Sequence, residues 1–146
     1  MPSRGISLSH LYTISPLEDI DLKTDVDHFV EQLRRQWPDA EVHFISDSTA
    51  NSYLQWKIET DNNTILGDLG GQNSVWFKSY NRSDVAKFAL WYRTILPYQH
   101  RLFLYKDSLS HQPIELTSHT SEVDIIAGFD IPFDSDAFDR LLKNRN

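Results

Sequence analysis

ILGDLGGQNSVWF, residues 65–77, holds the chain's only adjacent glycines, Gly70 and Gly71, and its reading decides the fold. A phosphate-binding loop would lead from its glycines into a helix, whose N-terminal amides receive the anion, and would close on Gly-Lys-Ser or Gly-Lys-Thr. These glycines lead instead into Ser74, Val75, Trp76 and Phe77, a β-branched and aromatic run of strand type. The segment reads as a hairpin turn between two strands.

Working outward, the same two-residue alternation recurs in EVHFI (41–45), YLQWKIE (53–59), TILGDL (64–69) and SVWFKSY (74–80). The links SDSTANS, TDNN and GGQN are short and rich in turn formers, so the four strands read as an antiparallel meander. On both sides of this block the apolar period lengthens to that of a helix. A first helix is expected near 25–37, with Thr24 as cap and Asp25 and Asp27 at its positive end. Its apolar stripe is Val26, Phe29, Val30, Leu33 and Trp37; Arg34 and Arg35 fill the last turn and Pro38 stops it. A second helix, DVAKFALWYRTIL, is expected after a Ser83 cap and before Pro97. Val85, Phe88, Ala89, Tyr92 and Leu96 form its apolar face, Asp84, Lys87 and Thr94 its polar face, with Trp91 near the boundary.

RLFLYK (101–106) and PIEL (113–116) read as further strands. Thr120 is the expected cap of a short helix over 122–127, and Asp134 or Ser135 that of another over 136–143. Residues 1–20 carry no strong pattern and are expected to be irregular or to supply an edge strand. Strands that follow one another, rather than alternating with helices, indicate an α+β fold. The expectation is a single domain over 1–146: a mainly antiparallel sheet of about five to six strands, two principal helices on one face, and short C-terminal helices.

Composition narrows the chemistry. The chain has 146 residues, is 40% hydrophobic and 12% aromatic, and contains no cysteine. It is long enough to bury a core without disulfides or metal. Thiol nucleophiles, thiolate metal sites and iron–sulfur clusters are excluded. No apolar run approaches the length of a membrane span, and residues 1–19 lack a signal-type apolar stretch, so a cytoplasmic protein is expected. The net charge of −7 is uneven: residues 63–106 carry two acids and six bases, whereas residues 107–139 carry eight acids and no Lys or Arg. Such a chain is ill suited to duplex nucleic acid, which demands a coherent cationic surface. Its acidic segment fits a basic protein partner better.

Strand alternation also nominates a surface. If Leu54, Trp56, Ile58, Val75 and Phe77 pack beneath the helices, the opposite face presents Tyr53, Lys57, Trp76, Lys78 and Tyr80. Tyrosine and tryptophan beside cations are characteristic of recognition surfaces. The six histidines, His10, His28, His43, His100, His111 and His119, match no metal spacing. His28 falls on the polar side of its helix and His111 and His119 in loops. His43, four residues before Asp47, is the one histidine placed to pair with a carboxylate. Asp130, Asp134, Asp136 and Asp139 lack the ligand alternation and glycine of a calcium loop. No cofactor is indicated. The reading that follows is a non-enzymatic protein-binding or inhibitor-type module using acidic and aromatic surfaces. The alternatives are a small-ligand protein or enzyme with a pocket near His43, Asp47, Tyr53 and Trp76, and a homo-oligomer formed through the aromatic face.

Overall fold

The computed structural model describes residues 10–16, 26–44, 52–70, 74–96, 100–106 and 111–143. Its elements are β1 (Leu11–Pro16), α1 (Val26–Gln36), β2 (Glu41–Phe44), β3 (Ser52–Glu59), β4 (Thr64–Gly70), β5 (Val75–Lys78), α2 (Arg82–Thr94), β6 (Leu102–Lys106), β7 (Ile114–Leu116), α3 (Glu122–Gly128) and α4 (Ser135–Lys143). The strands form one antiparallel sheet of seven in the order β2-β3-β4-β5-β1-β6-β7. The α+β class is as expected, with one strand more than the upper estimate.

The central four strands are the meander read from the sequence, and β4 and β5 form its last antiparallel pair, with residues 71–73 of the glycine segment outside the described residues. Leu69 pairs with Val75, and the Gly70 amide donates to the Ser74 carbonyl at 2.9 Å. The expected edge strand is a correction. β1 lies inside the sheet, between β5 and β6, with Ile14 opposite both Val75 and Leu104. Residues 1–9 and 17–20 of that stretch, and the Thr24 cap, fall outside the described residues.

The position of β1 also explains where the helices go. Through the antiparallel pairings, β1 runs parallel to β2 and β5 runs parallel to β6. Both pairs are joined by helical crossovers, which are almost always right-handed. The crossovers run in opposite directions along the sheet from strands of opposite polarity, so one hand places both helices on the same face. There Phe29 and Leu33 of α1 and Val85, Phe88, Ala89 and Tyr92 of α2 are fully buried. They meet Leu54, Trp56, Ile58, Ile65, Leu69, Val75 and Phe77 of the sheet. Each large side chain buried in this way contributes about 1.5–3 kcal/mol. Trp56 stacks on Phe88 at 4.6 Å with an interplanar angle of 18°. Trp37 and Trp91 close the rim edge to face at 5.2 Å.

Several polar details differ from the periodic reading. The α2 cap is Asn81, whose side chain accepts from the Asp84 amide. Asp84, expected on the exposed face, is only 3% exposed. It accepts from Thr60 Oγ1 at 2.7 Å and Asn62 Nδ2 at 3.3 Å, tying the β3–β4 turn to the start of α2. Buried carboxylates persist only when their lone pairs find donors, and this one has two from neutral side chains and no paired cation among the described residues. At the other end of α2, buried Arg93 donates to the carbonyls of Leu96, His100 and Leu116. Ser121, rather than Thr120, caps α3 in a reciprocal capping box with Asp124. Thr120 instead holds the preceding turn, accepting from the Thr117 amide and donating to the Glu115 carbonyl.

Gly67 is the tightest point of the core. A methyl group on it would overlap the six-membered ring of Trp56, which is sealed between β4 and α2. Gly67→Ala is expected to lower stability by about 1–3 kcal/mol through overpacking, read as a reduced urea midpoint at unchanged slope. An unaltered midpoint would show that Trp56 has room to move.

Candidate functional site

The sheet's second face, away from α1 and α2, is built row by row from strand pairing. His43, Gln55, Asp68, Trp76, Thr13 and Tyr105 are successive cross-strand partners and form one row from β2 to β6. Glu41, Lys57, Leu66, Lys78 and Leu11 form the next row. Leu66 is 49% exposed and Trp76 37%, so apolar surface lies open along these strands.

Among the described residues the face is covered at one end only. On the β6–β7 side, Arg101 makes a two-pronged ion pair with Glu115 at 2.9 and 3.0 Å. The same guanidinium donates to the Leu141 carbonyl at 3.0 Å and reaches that of Leu142 at 3.5 Å, holding the C-terminal turn of α4. A cation is stabilised there by the carbonyls left over at a helix end. Phe103, beneath that cation, is fully buried. Among the described residues no such cover lies over Leu66 and Trp76.

Two adjoining depressions mark the open part. One, of about 390 Å³, is lined by Leu11, Gln55, Trp56, Leu66, Gly67, Asp68, Trp76, Phe77 and Lys78. The other, of about 310 Å³, is lined by Glu41, His43, Gln55, Trp56, Lys57 and Leu66. Gln55, Trp56 and Leu66 line both. Gly70 shapes the first: a side chain on it would collide with the outer ring of Trp76, so its absence lets that indole lie down on the sheet. Gly67 and Gly70 of one strand thus accommodate two tryptophans on opposite faces.

The structure brings together Lys57, Trp76 and Lys78 on this face, as the alternation anticipates. Tyr80 lies just past β5, its ring tilted at 50° against that of His10 with centroids 4.3 Å apart, and the Lys78 ammonium 5.1 Å from its ring. The Lys57 ammonium lies between Glu41 at 3.8 Å and Glu59 at 3.6 Å, exposed pairs of small energetic weight. Asp47 and the side chain of Tyr53 fall outside the described residues. His43 is exposed on the outermost strand, with no ion pair to a carboxylate among the described residues. It is three strands from Trp76, roughly 14 Å at the usual spacing. The two are separate members of one row, not walls of one pocket.

Asp68 is the residue that sequence reasoning missed. It faces Trp76 on one side and Gln55 on the other. Burial pushes its carboxyl pKa above the ordinary range, and a hydrogen bond from Gln55 offsets only part of that. Its signal was the period itself: Leu66, Asp68 and Gly70 alternate with Ile65, Gly67 and Leu69.

Elsewhere, no three His, Cys, Asp or Glu side chains among the described residues are grouped to hold a metal ion. No helix among them is long and apolar enough to cross a membrane. Within the acidic stretch, Glu115 pairs with Arg101 and Asp130 with Arg82, while Asp124 and Asp134 serve helix starts. Among protein-family models, curated proteins and solved structures, nothing matches this chain.

His111 lies in a loop, as expected, yet is buried there, being 1% exposed. Its Nδ1–H donates to the Gln112 carbonyl at 2.7 Å and its ring packs on Phe129 at 5.1 Å, leaving Nε2 buried without a partner. Burial, with lesser contributions from Lys106 and Arg82, lowers its pKa against the raising effect of the Gln112 carbonyl. The folded ring therefore resists a proton that the unfolded chain accepts near pH 6.5. The stability contributed by the neutral ring is complete above that pH and drains away as pH falls below it. Urea titrations from pH 7.5 to 5 should show wild type losing stability more steeply than His111→Leu, by at most about 1.4 kcal/mol per pH unit. Parallel profiles would place the proton elsewhere.

Proposed function

We propose that the chain is a non-enzymatic, cytoplasmic protein-binding module that docks a basic partner on the open part of its second sheet face. The observation that carries this reading is the exposed Leu66–Trp76 surface, lying in a shallow depression on a rigid antiparallel sheet while the same face is covered at β6–β7. Aromatic and aliphatic anchors on a fixed scaffold are what a protein interface needs, because little conformational freedom is lost on contact.

Charge favours a basic occupant over a second copy. The open face carries Glu41, Glu59 and Asp68 against Lys57 and Lys78, and the chain as a whole is at −7. Two such chains repel one another, whereas a cationic partner is drawn in and held. An inhibitor that masks a basic protein is one form this role takes. The alternative of a ligand or catalytic pocket at His43, Asp47 and Trp76 has less support, since the histidine and the indole stand three strands apart.

The test is site-specific. A photo-crosslinking residue placed at Leu66, or at Glu31 on the exposed side of α1 as control, is irradiated in extract of the source cell. The protein captured from position 66 alone is then purified and its affinity measured directly. A basic partner is expected, bound at least about tenfold more weakly by Leu66→Asp and unchanged by Glu31→Ala. Equal capture from both positions, or a complex indifferent to Leu66→Asp, overturns the reading. So does sedimentation showing that the occupant of the face is another copy of this chain.

A further inference from the structure

The open face contains one acid that the described residues leave unneutralised. Among the described residues Asp68 forms no ion pair: Lys57 is taken by Glu41 and Glu59, and Lys78 lies toward Tyr80. Asp68 nevertheless stands within the 390 Å³ depression, with Gln55 and Trp76 as its two cross-strand neighbours. Directly opposed residues have their Cβ atoms about 5 Å apart, so carboxylate and indole flank one small volume.

Each wall of that volume has a matching chemical demand. The carboxylate has lone pairs to spare and is partly withdrawn from water, a state that a cation stabilises more than water does. The indole, laid against the sheet by the gap at Gly70, offers a π surface to a cation. Leu66 and Leu11 supply apolar ground on which an aliphatic stem can lie. A guanidinium satisfies all three at once: it is planar, stacks on indole, and donates a pair of N–H groups to a carboxylate. An ammonium can meet the charge but neither the stacking nor the two-pronged geometry.

Resting on the docking surface proposed above, we infer that the depression between Asp68 and Trp76 is a socket for an arginine side chain of the basic partner. Gln55 positions the carboxylate from the β3 side. Lys78, two residues along β5 from the indole, disfavours a second cation at that end, so the socket takes one arginine flanked by apolar residues.

The experiment uses the full chain and a short acetylated Leu-Arg-Leu peptide, with lysine, citrulline and norleucine replacing the arginine in three controls. Binding is followed by the indole N–H resonance of Trp76, assigned with Trp76→Phe. The arginine peptide is expected to shift that resonance saturably, with a Kd of about 1 mM. The lysine peptide should bind several-fold more weakly and the citrulline and norleucine peptides not measurably. Asp68→Asn should weaken the arginine peptide at least about tenfold. It should also leave the urea midpoint unchanged or raised, because the substitution removes a carboxylate whose burial disfavours its charge. Equal shifts from arginine and citrulline, no saturable shift at all, or Asp68→Asn binding as wild type overturns the socket. The wider docking surface fails separately: it stands if the partner captured at position 66 still depends on Leu66, and falls if that complex ignores Leu66→Asp.

Discussion

The contact on which the rest of the structure depends is the indole of Trp56 pressed between Gly67 of the next strand and Phe88 of α2. It joins sheet to helix at the middle of the core, with Phe29 and Phe77 at 6.3 and 6.4 Å from the same ring. Because side chains alternate strictly along a strand, seating Trp56 beneath the helices commits Leu54 and Ile58 to the core and Gln55 and Lys57 to the other face. Pairing then carries the commitment across β4, β5 and β1. A slip of one residue would exchange the two faces entirely, and the core would have to accept Lys57, Asp68 and Lys78. The contents of the candidate site are thus a consequence of core packing rather than of any local motif.

This dependence explains which parts of the molecule were legible beforehand. The stripe of α1, the apolar face of α2 and the alternation in β3 and β5 are local patterns driven by burial, and burial is what formed them. Strand partners are another matter. Nothing in LYTISP states that it will lie between β5 and β6 rather than at an edge, because that choice is settled by two crossover helices and by which edge they leave free. The burial of Asp84, Arg93 and His111 was hidden for a related reason. Each is a polar residue held inside by partners remote in sequence: Asp84 by Thr60 and Asn62, Arg93 by Leu116, and His111 by the ring of Phe129. Helix starts moved by only one or two residues, from Ser83 to Asn81 and from Thr120 to Ser121, since several neighbouring side chains compete to cap the same amides.

The site itself was half legible. Lys57, Trp76 and Lys78 follow from alternation within single strands. Asp68 requires a further step, the register of β4 against β5, before its place opposite Trp76 can be seen. That register is set at the Gly70–Ser74 turn, so the glycine segment that looked at first like a phosphate loop governs the site after all, through geometry rather than chemistry. One strand supplies both fittings: Gly67 admits Trp56 to the core, and Gly70 lets Trp76 lie on the surface.

The two glycines also separate stability from recognition. Trp56 is sealed and has nowhere to move, so crowding it costs core packing directly. Trp76 is partly exposed, and a side chain at position 70 would be accommodated by swinging the indole outward at small cost to the fold. Asp68 falls on the recognition side of the same division. Burial disfavours the charge on its carboxylate, and the hydrogen bond from Gln55 offsets only part of that. A partly buried carboxylate with no ion pair among the described residues, set beside an indole, is the geometry on which the proposed arginine socket rests.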